Sequence, residues 1–167
     1  MEYEQHKPIL TADVTVKESK VYLDEQIVEF TLDFAINNIG DMPAYQNRFR
    51  ACAAPLDNPE ELVISKRPDV YELNPIYKGT HQNILFDYRG TYARQGNEGI
   101  VVIYFNLGWS NDPKDGKWHE DPYYCAFLIQ FEKDTYGHGI ISVLPEWIEL
   151  FEPYVEKLYP LEEGITK

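Results

Sequence analysis

The sequence predicts an all-β protein, an antiparallel sandwich of about eight strands with a short C-terminal helix. Three observations carry this. Apolar and polar residues alternate with period two over much of the chain, turn residues interrupt the pattern every 8–15 residues, and helical periodicity is absent until residue 145. The chain has 167 residues, 44% hydrophobic and 14% aromatic, which suits one domain with a sizeable core and excludes intrinsic disorder. No apolar run approaches the roughly 18 residues of a membrane-spanning helix. Residues 1–144 read as the sandwich domain, and 145–167 as a helical appendage packed on it.

Taken in order, ADVTVKE alternates through Val14 and Val16. EQIVEFTLDFAI is the clearest strand. Val28, Phe30, Leu32, Phe34 and Ile36 share one face, and Glu29, Thr31, Asp33 and Ala35 the other, as in a half-buried antiparallel strand. Asn37-Asn38-Ile39-Gly40-Asp41-Met42-Pro43 then turns the chain, because Asn and Gly tolerate positive φ and Pro fixes its own. In AYQNRFRACAAPL, Tyr45, Asn47, Phe49, Ala51 and Ala53 fall on one side, with Arg48, Arg50 and Cys52 on the other. LVIS (62–65), VYEL (70–73) and NILFDY (83–88) read as further strands, and Gly90, Gly96 and Gly99 punctuate the chain beyond them. GIVVIYFNL (99–107) and YYCAFLIQF (123–131) are nearly continuous apolar runs, suited to central strands covered on both sides. Tyr136-Gly137-His138-Gly139 reads as a turn into a last strand, IISVL (140–144). Pro145 suits a first helical position, with Glu146 and Glu149 placed for the helix dipole. Trp147, Leu150, Phe151, Tyr154 and Leu158 recur at helical spacing, a stripe expected to dock on the sandwich. Pro153 interrupts it at a cost of about 3 kcal/mol in a regular helix. The helix is therefore expected to end near Glu152, with a second turn from Pro153 to Leu158.

The net charge is −13 and is unevenly placed, with −5 over residues 1–36 and −4 over 145–167. All five arginines fall between them, at Arg48, Arg50, Arg67, Arg89 and Arg94. Such a chain repels polyanions, so neither a nucleic acid nor an anionic lipid surface is an expected partner. The charge argues for solubility first, and otherwise for a basic partner or mimicry of an acidic one. The two cysteines, Cys52 and Cys125, lie in strand-like runs 73 residues apart. They read as buried free thiols or as a disulfide across the sandwich, although no tryptophan lies on the strand after Cys52, where an immunoglobulin core requires one. The start, MEYEQHKPIL, has no basic segment followed by an apolar one and is not a signal peptide. An extracytoplasmic location follows if a membrane anchor was removed upstream, and a cytoplasmic one otherwise.

The segment VEFTLDFAINNIGDMPAYQNRFRACAA places Asn-x-Gly-x-x-Pro-Ala between two alternating strands. It resembles bacterial immunoglobulin-like modules of the CARDB type, over roughly residues 12–132. The resemblance implies an immunoglobulin-like sandwich that serves as a spacer, adhesion or binding module without a catalytic site. The chain departs from it in the segment 109–122 and in the acidic helical tail.

The segment 109–122 is the most unusual loop. Asp112, Asp115, His119, Glu120 and Asp121 could donate to a metal, but they miss the D-x-D-x-D-G calcium pattern and Pro113 disturbs it further. Trp109, Trp118, Tyr123 and Tyr124 could form an aromatic contact surface. The four histidines are scattered, no H-x-x-x-H or G-x-S-x-G occurs, and no phosphate-binding glycine loop opens a helix. The expectation is therefore a protein without catalytic residues, metal or cofactor, the soluble part of a bacterial protein that binds a protein partner. Trp109, Asp112, Asp115, Trp118, His119, Tyr123, Trp147 and Phe151 are the candidate contacts. An acidic inhibitor masking a basic surface is the alternative, followed by a carbohydrate-binding module using Trp109 and Trp118, and a hydrolase using the acids near His119.

Overall fold

Alternation over residues 28–36 has the consequence its period dictates. Val28, Phe30, Leu32, Phe34 and Ile36 are all buried, while Glu29, Thr31, Asp33 and Ala35 point away from the core. The computed structural model describes residues 7–64, 71–73, 75–110, 118–133 and 135–159. Its strands are β1 (Leu10–Tyr22), β2 (Ile27–Asn38), β3 (Gln46–Pro55), β4 (Val63–Ile64), β5 (Tyr71–Leu73), β6 (His81–Thr91), β7 (Ala93–Gln95), β8 (Glu98–Ser110), β9 (His119–Phe131) and β10 (Tyr136–Ile141). One helix comes last, α1 (Pro145–Leu158). No helix among the described residues is long and apolar enough to cross a membrane.

The strands form an all-β sandwich of two antiparallel sheets. The first has the order β1-β2-β6 and the second β10-β9-β8-β3-β4. β5 pairs beside β4 on the edge of β3, and β7 extends the β3 edge of β8. Aromatic rings join the sheets. Phe30 stacks on Phe127 at 4.2 Å between centroids, and Phe34 meets both Phe49 and Phe105 at 4.9 Å. Such pairs add about 0.5–1.5 kcal/mol each beyond the area they bury.

β8 is almost continuously apolar from Ile100 to Leu107 because it is covered twice. Val101, Ile103, Phe105 and Leu107 enter the core between the sheets. Ile100, Val102 and Tyr104 face the other way, where Phe151, Val155 and Tyr159 of the helical segment cover them. The molecule thus has three layers, and the helical stripe docks on the sandwich. Phe151 and Val155 are fully buried, whereas Leu150 and Leu158 stay exposed.

Several sequence expectations are corrected. α1 does not stop at Glu152 but continues through Pro153 to Leu158. Phe151 and Val155 dock on either side of the proline, so tertiary burial offsets the missing hydrogen bond. The strands number ten among the described residues, since β7 forms a tight hairpin with β8 around Gly96, whose φ of 58° suits the first central position of such a turn. Residues 136–139 are strand rather than turn, because pairing with β9 outweighs their glycines. The reversal lies just before them, where Glu132 N–H donates to the Thr135 carbonyl at 2.9 Å. Trp109 pairs with His119 in the β8–β9 register, so both ends of the expected loop are strand.

Cys52 and Cys125 do not form the bridge that their spacing allows. β3 and β9 belong to the same sheet with β8 between them. Cys52 faces the helical layer and Cys125 the opposing sheet, and both are free. Burial pushes each thiol up to about 12, which leaves little thiolate at neutral pH.

Candidate functional site

Backbone accounting explains why one end of the sandwich presents apolar side chains to solvent. At the end of β2, Asn38 is buried and uses its whole amide. Its Oδ1 accepts from Ile9 N–H at 3.2 Å and Gly40 N–H at 2.9 Å, and its Nδ2 donates to the Met42 carbonyl at 2.8 Å and the Ile76 carbonyl at 2.9 Å. One side chain thus ties together the start of β1, the β2–β3 connection and the segment before β6. Gly40 passes so close to this crossing that a Cβ there would lie 2.3 Å from the Lys7 carbonyl oxygen. Between the two, Ile39 has no inward direction open to it and is 62% exposed.

Neighbouring chain continues the pattern. Ile39 N–H donates to the Ile9 carbonyl at 2.9 Å, and Ile9 is 43% exposed. Ala44 and Ile76 form a two-way backbone bridge at 3.0 and 2.9 Å, and the residues after each, Tyr45 and Tyr77, are 49% and 52% exposed. Their rings meet edge-on, 6.5 Å between centroids. Lys78 pairs with Asp41 at 3.1 Å on the surface alongside. Ile9, Ile39, Tyr45 and Tyr77 are therefore exposed beside backbone that is hydrogen-bonded at Ile9, Ile39, Ala44, Ile76 and Tyr77. A rigid surface of this kind loses little conformational entropy when it binds. The β8–β9 hairpin lies at the same end, since Gln46 pairs with Ser110.

Beside it, the outer face of the second sheet holds a buried polar cluster. Arg50 makes an ion pair with Glu120, their side chains 10% and 7% exposed, and Arg48 Nη2 lies 4.0 Å from the same carboxylate. Gly108 stands between Arg48 and Glu120 in register and leaves the room they share. Arg48 covers the Trp118 ring at 3.9 Å, and Arg50 lies 5.1 Å from that of Tyr159. Asn106 donates to the Tyr104 hydroxyl at 2.9 Å, and burial raises that phenol above its ordinary value. These contacts join β3, β8, β9 and the end of the helical layer.

The expected contact residues scatter. Trp109 is only 9% exposed, belongs to the core between the sheets and lies 4.7 Å from the His119 ring. Trp118 is half-buried beneath Arg48. Tyr123 is exposed and stacks on Phe105 at 5.2 Å, further along the β9 edge. Trp147 is half-buried against the helical cluster, and Phe151 is fully buried there. Trp109 and Phe151 are thus core residues rather than contacts, because each fills a layer that would otherwise hold a cavity. Asp112 and Asp115 lie outside the described residues. Trp109 and His119 meet at the loop end on the inner side, whereas Trp118 lies with Arg48 on the outer face, the face that Phe151 and Trp147 cover elsewhere. Sequence reasoning missed Ile9, Ile39, Tyr45 and Tyr77. The available signal was an isoleucine between Asn38 and Gly40, at a position where a solvated turn favours a polar residue.

Among the described residues, no three His, Cys, Asp or Glu side chains gather closely enough to hold a metal ion. An open groove of about 790 Å³ runs across β1, β2 and β6 beside β4. Four of its polar side chains are paired, with Thr31 donating to Asp87 at 2.7 Å and Arg89 paired with Glu29. No family model, curated protein or solved structure matches this chain.

Proposed function

We propose that the protein is a non-catalytic binding module of bacterial origin, built on an immunoglobulin-like sandwich, that takes a protein partner at the end formed by Ile9, Ile39, Tyr45 and Tyr77. The observation that carries this is the exposure of four large apolar side chains around the backbone crossing that Asn38 and the Ala44–Ile76 bridge hold together. Tyrosines with branched aliphatics on a rigid frame are the composition of contact surfaces. Strand order supports the immunoglobulin-like assignment, because β1-β2-β6 opposes β9-β8-β3-β4 as the A-B-E and G-F-C-C′ strands oppose each other in that fold, with β10 added beyond. In that fold the B–C and F–G connections share one end, and here their counterparts are the β2–β3 and β8–β9 connections.

The test is a comparative pull-down with the wild-type chain and with Ile39→Ser combined with Tyr77→Ser. A partner retained by the first and lost by the second, at unchanged melting temperature, is the expected result. A partner retained equally by both removes this surface from the reading. The acidic-inhibitor alternative draws on the net charge of −13. It predicts a steep loss of binding with salt, whereas an apolar contact holds or strengthens. The carbohydrate alternative loses its platform, since Trp109 is buried and Trp118 lies under Arg48.

A further inference from the structure

The two sheets end differently on the side where β1 and β10 lie near one another. Among the described residues, β1 hydrogen-bonds only to β2, and β10 only to β9. β1 carries the devices that keep an edge from pairing with foreign strands. Its register slips between Val16 and Glu18, and Asp13, Lys17, Glu18 and Lys20 lie along it. The part of β9 that β10 leaves uncovered holds Asp121 and Pro122. β10 has no such device. Tyr136-Gly137-His138-Gly139-Ile140-Ile141 contains no Lys, Arg, Asp, Glu or Pro, and its register with β9 is unbroken.

We propose that β10 forms an isologous homodimer, pairing antiparallel with β10 of a second copy about a two-fold axis at His138, so that the two second sheets become one continuous sheet. The strand is close to a palindrome about that residue. Positions paired across antiparallel strands share a face. Gly137 therefore opposes Gly139 of the second copy, and Tyr136 opposes its Ile140, an aromatic against a β-branched residue, which is a favourable cross-strand pair. His138 stacks on Phe127 at 5.7 Å and ends a run of near-parallel rings through Phe30 to Tyr88. The second copy's ring extends that run. On the outer face, a Cβ built at Gly137 or Gly139 meets nothing within 4 Å, so no side chain obstructs an approaching strand.

The near-palindrome about His138 selects a second copy as the occupant, and charge confines where two copies can meet. Two copies at −13 each repel, and they meet at least cost where both present neutral surface. β10 is such a surface over its whole length, and Tyr136 and Leu144 add exposed apolar area at its two ends.

Sedimentation of the intact chain against concentration, at low salt and at about 0.5 M salt where the screening length falls to roughly 4 Å, reads the proposal directly. The expected result is a mass rising from 19.5 kDa toward twice that value, with tighter association at high salt. Gly137→Lys combined with Gly139→Lys sets lysine against lysine twice across the axis, in space that is open in the monomer. The dimer constant should weaken by about tenfold or more, with the circular-dichroism spectrum unchanged. As a positive control, His138→Cys should give a disulfide-linked dimer under mild oxidation, while the buried Cys52 and Cys125 stay silent. A mass of 19.5 kDa at every concentration overturns the proposal. So does a dimer that survives the double lysine variant, or the absence of a cross-link through position 138.

Discussion

The two faces of the second sheet are both buried, but by different means. The inner face is a ring-filled core in which Phe30, Phe34, Phe49, Phe105 and Phe127 meet across the sandwich. On the outer face one part is covered by a single helix and another by an ion cluster around Glu120, and the β10 margin is open. Shape complementarity holds the first together, and charge compensation holds part of the second. Removing atoms leaves a cavity on the inner face, whereas on the outer face it can leave an uncompensated charge.

Substitutions should separate the two faces. The largest expected effect is on the inner face, where Phe127→Ala removes a ring stacked between Phe30 and His138. A loss of about 3–5 kcal/mol is expected from the urea midpoint. Next, Arg50→Ala leaves the Glu120 carboxylate buried without its main partner, at about 3 kcal/mol. Replacing both residues, Arg50→Met with Glu120→Met, should recover most of that loss. If it does not, the outer cluster is held by packing and the contrast with the inner face disappears.

The cysteines report on the two faces separately. Phe151→Ala should loosen the helical layer, making labelling of Cys52 by a thiol reagent about tenfold faster or more, while Cys125 labelling keeps its rate. Equal acceleration at both would mean that the layers unfold as one. Both folded thiols titrate near 12, above their unfolded value, so the folded chain retains protons that the unfolded chain releases. That contribution to stability is complete below about pH 9 and falls as pH rises toward 12. The smallest effect is expected at Tyr92, which bridges β6 and β7. Its buried hydroxyl has no hydrogen-bond partner among the described residues. Tyr92→Phe should therefore gain up to about 1 kcal/mol, measured as a rise in melting temperature.

Period-two patterning made the inner face legible, because alternation marks which side chains share a face and β2 and β3 obey it almost throughout. The continuous apolar run of β8 signalled a second cover without saying what supplies it. The helix docked as its stripe required, yet its length was misread at Pro153, because propensity is local and the burial of Val155 is not. The Arg50–Glu120 pair was invisible for a related reason. Seventy residues separate the partners, and only the β3-β8-β9 order brings them to one place. Exposure of Ile39 depends on the amide of Asn38 reaching three backbone segments, a geometry that Asn-x-Gly as a turn motif does not encode. The bare edge at β10 was hidden by its glycines, which look like a turn until pairing is known.

The seventy residues between Arg50 and Glu120 also set an order of events at the ribosome. At about 5–20 residues per second, Arg50 emerges roughly 4–14 s before the carboxylate that will neutralise it. For most of that interval β3 also lacks β8, and its apolar RACAAP segment begins with an uncompensated guanidinium. A nascent strand carrying such a charge resists pairing with its neighbours on a polysome. The interval closes when β9 pairs with β8 and carries the Glu120 carboxylate to the guanidinium, well before the last residue is added.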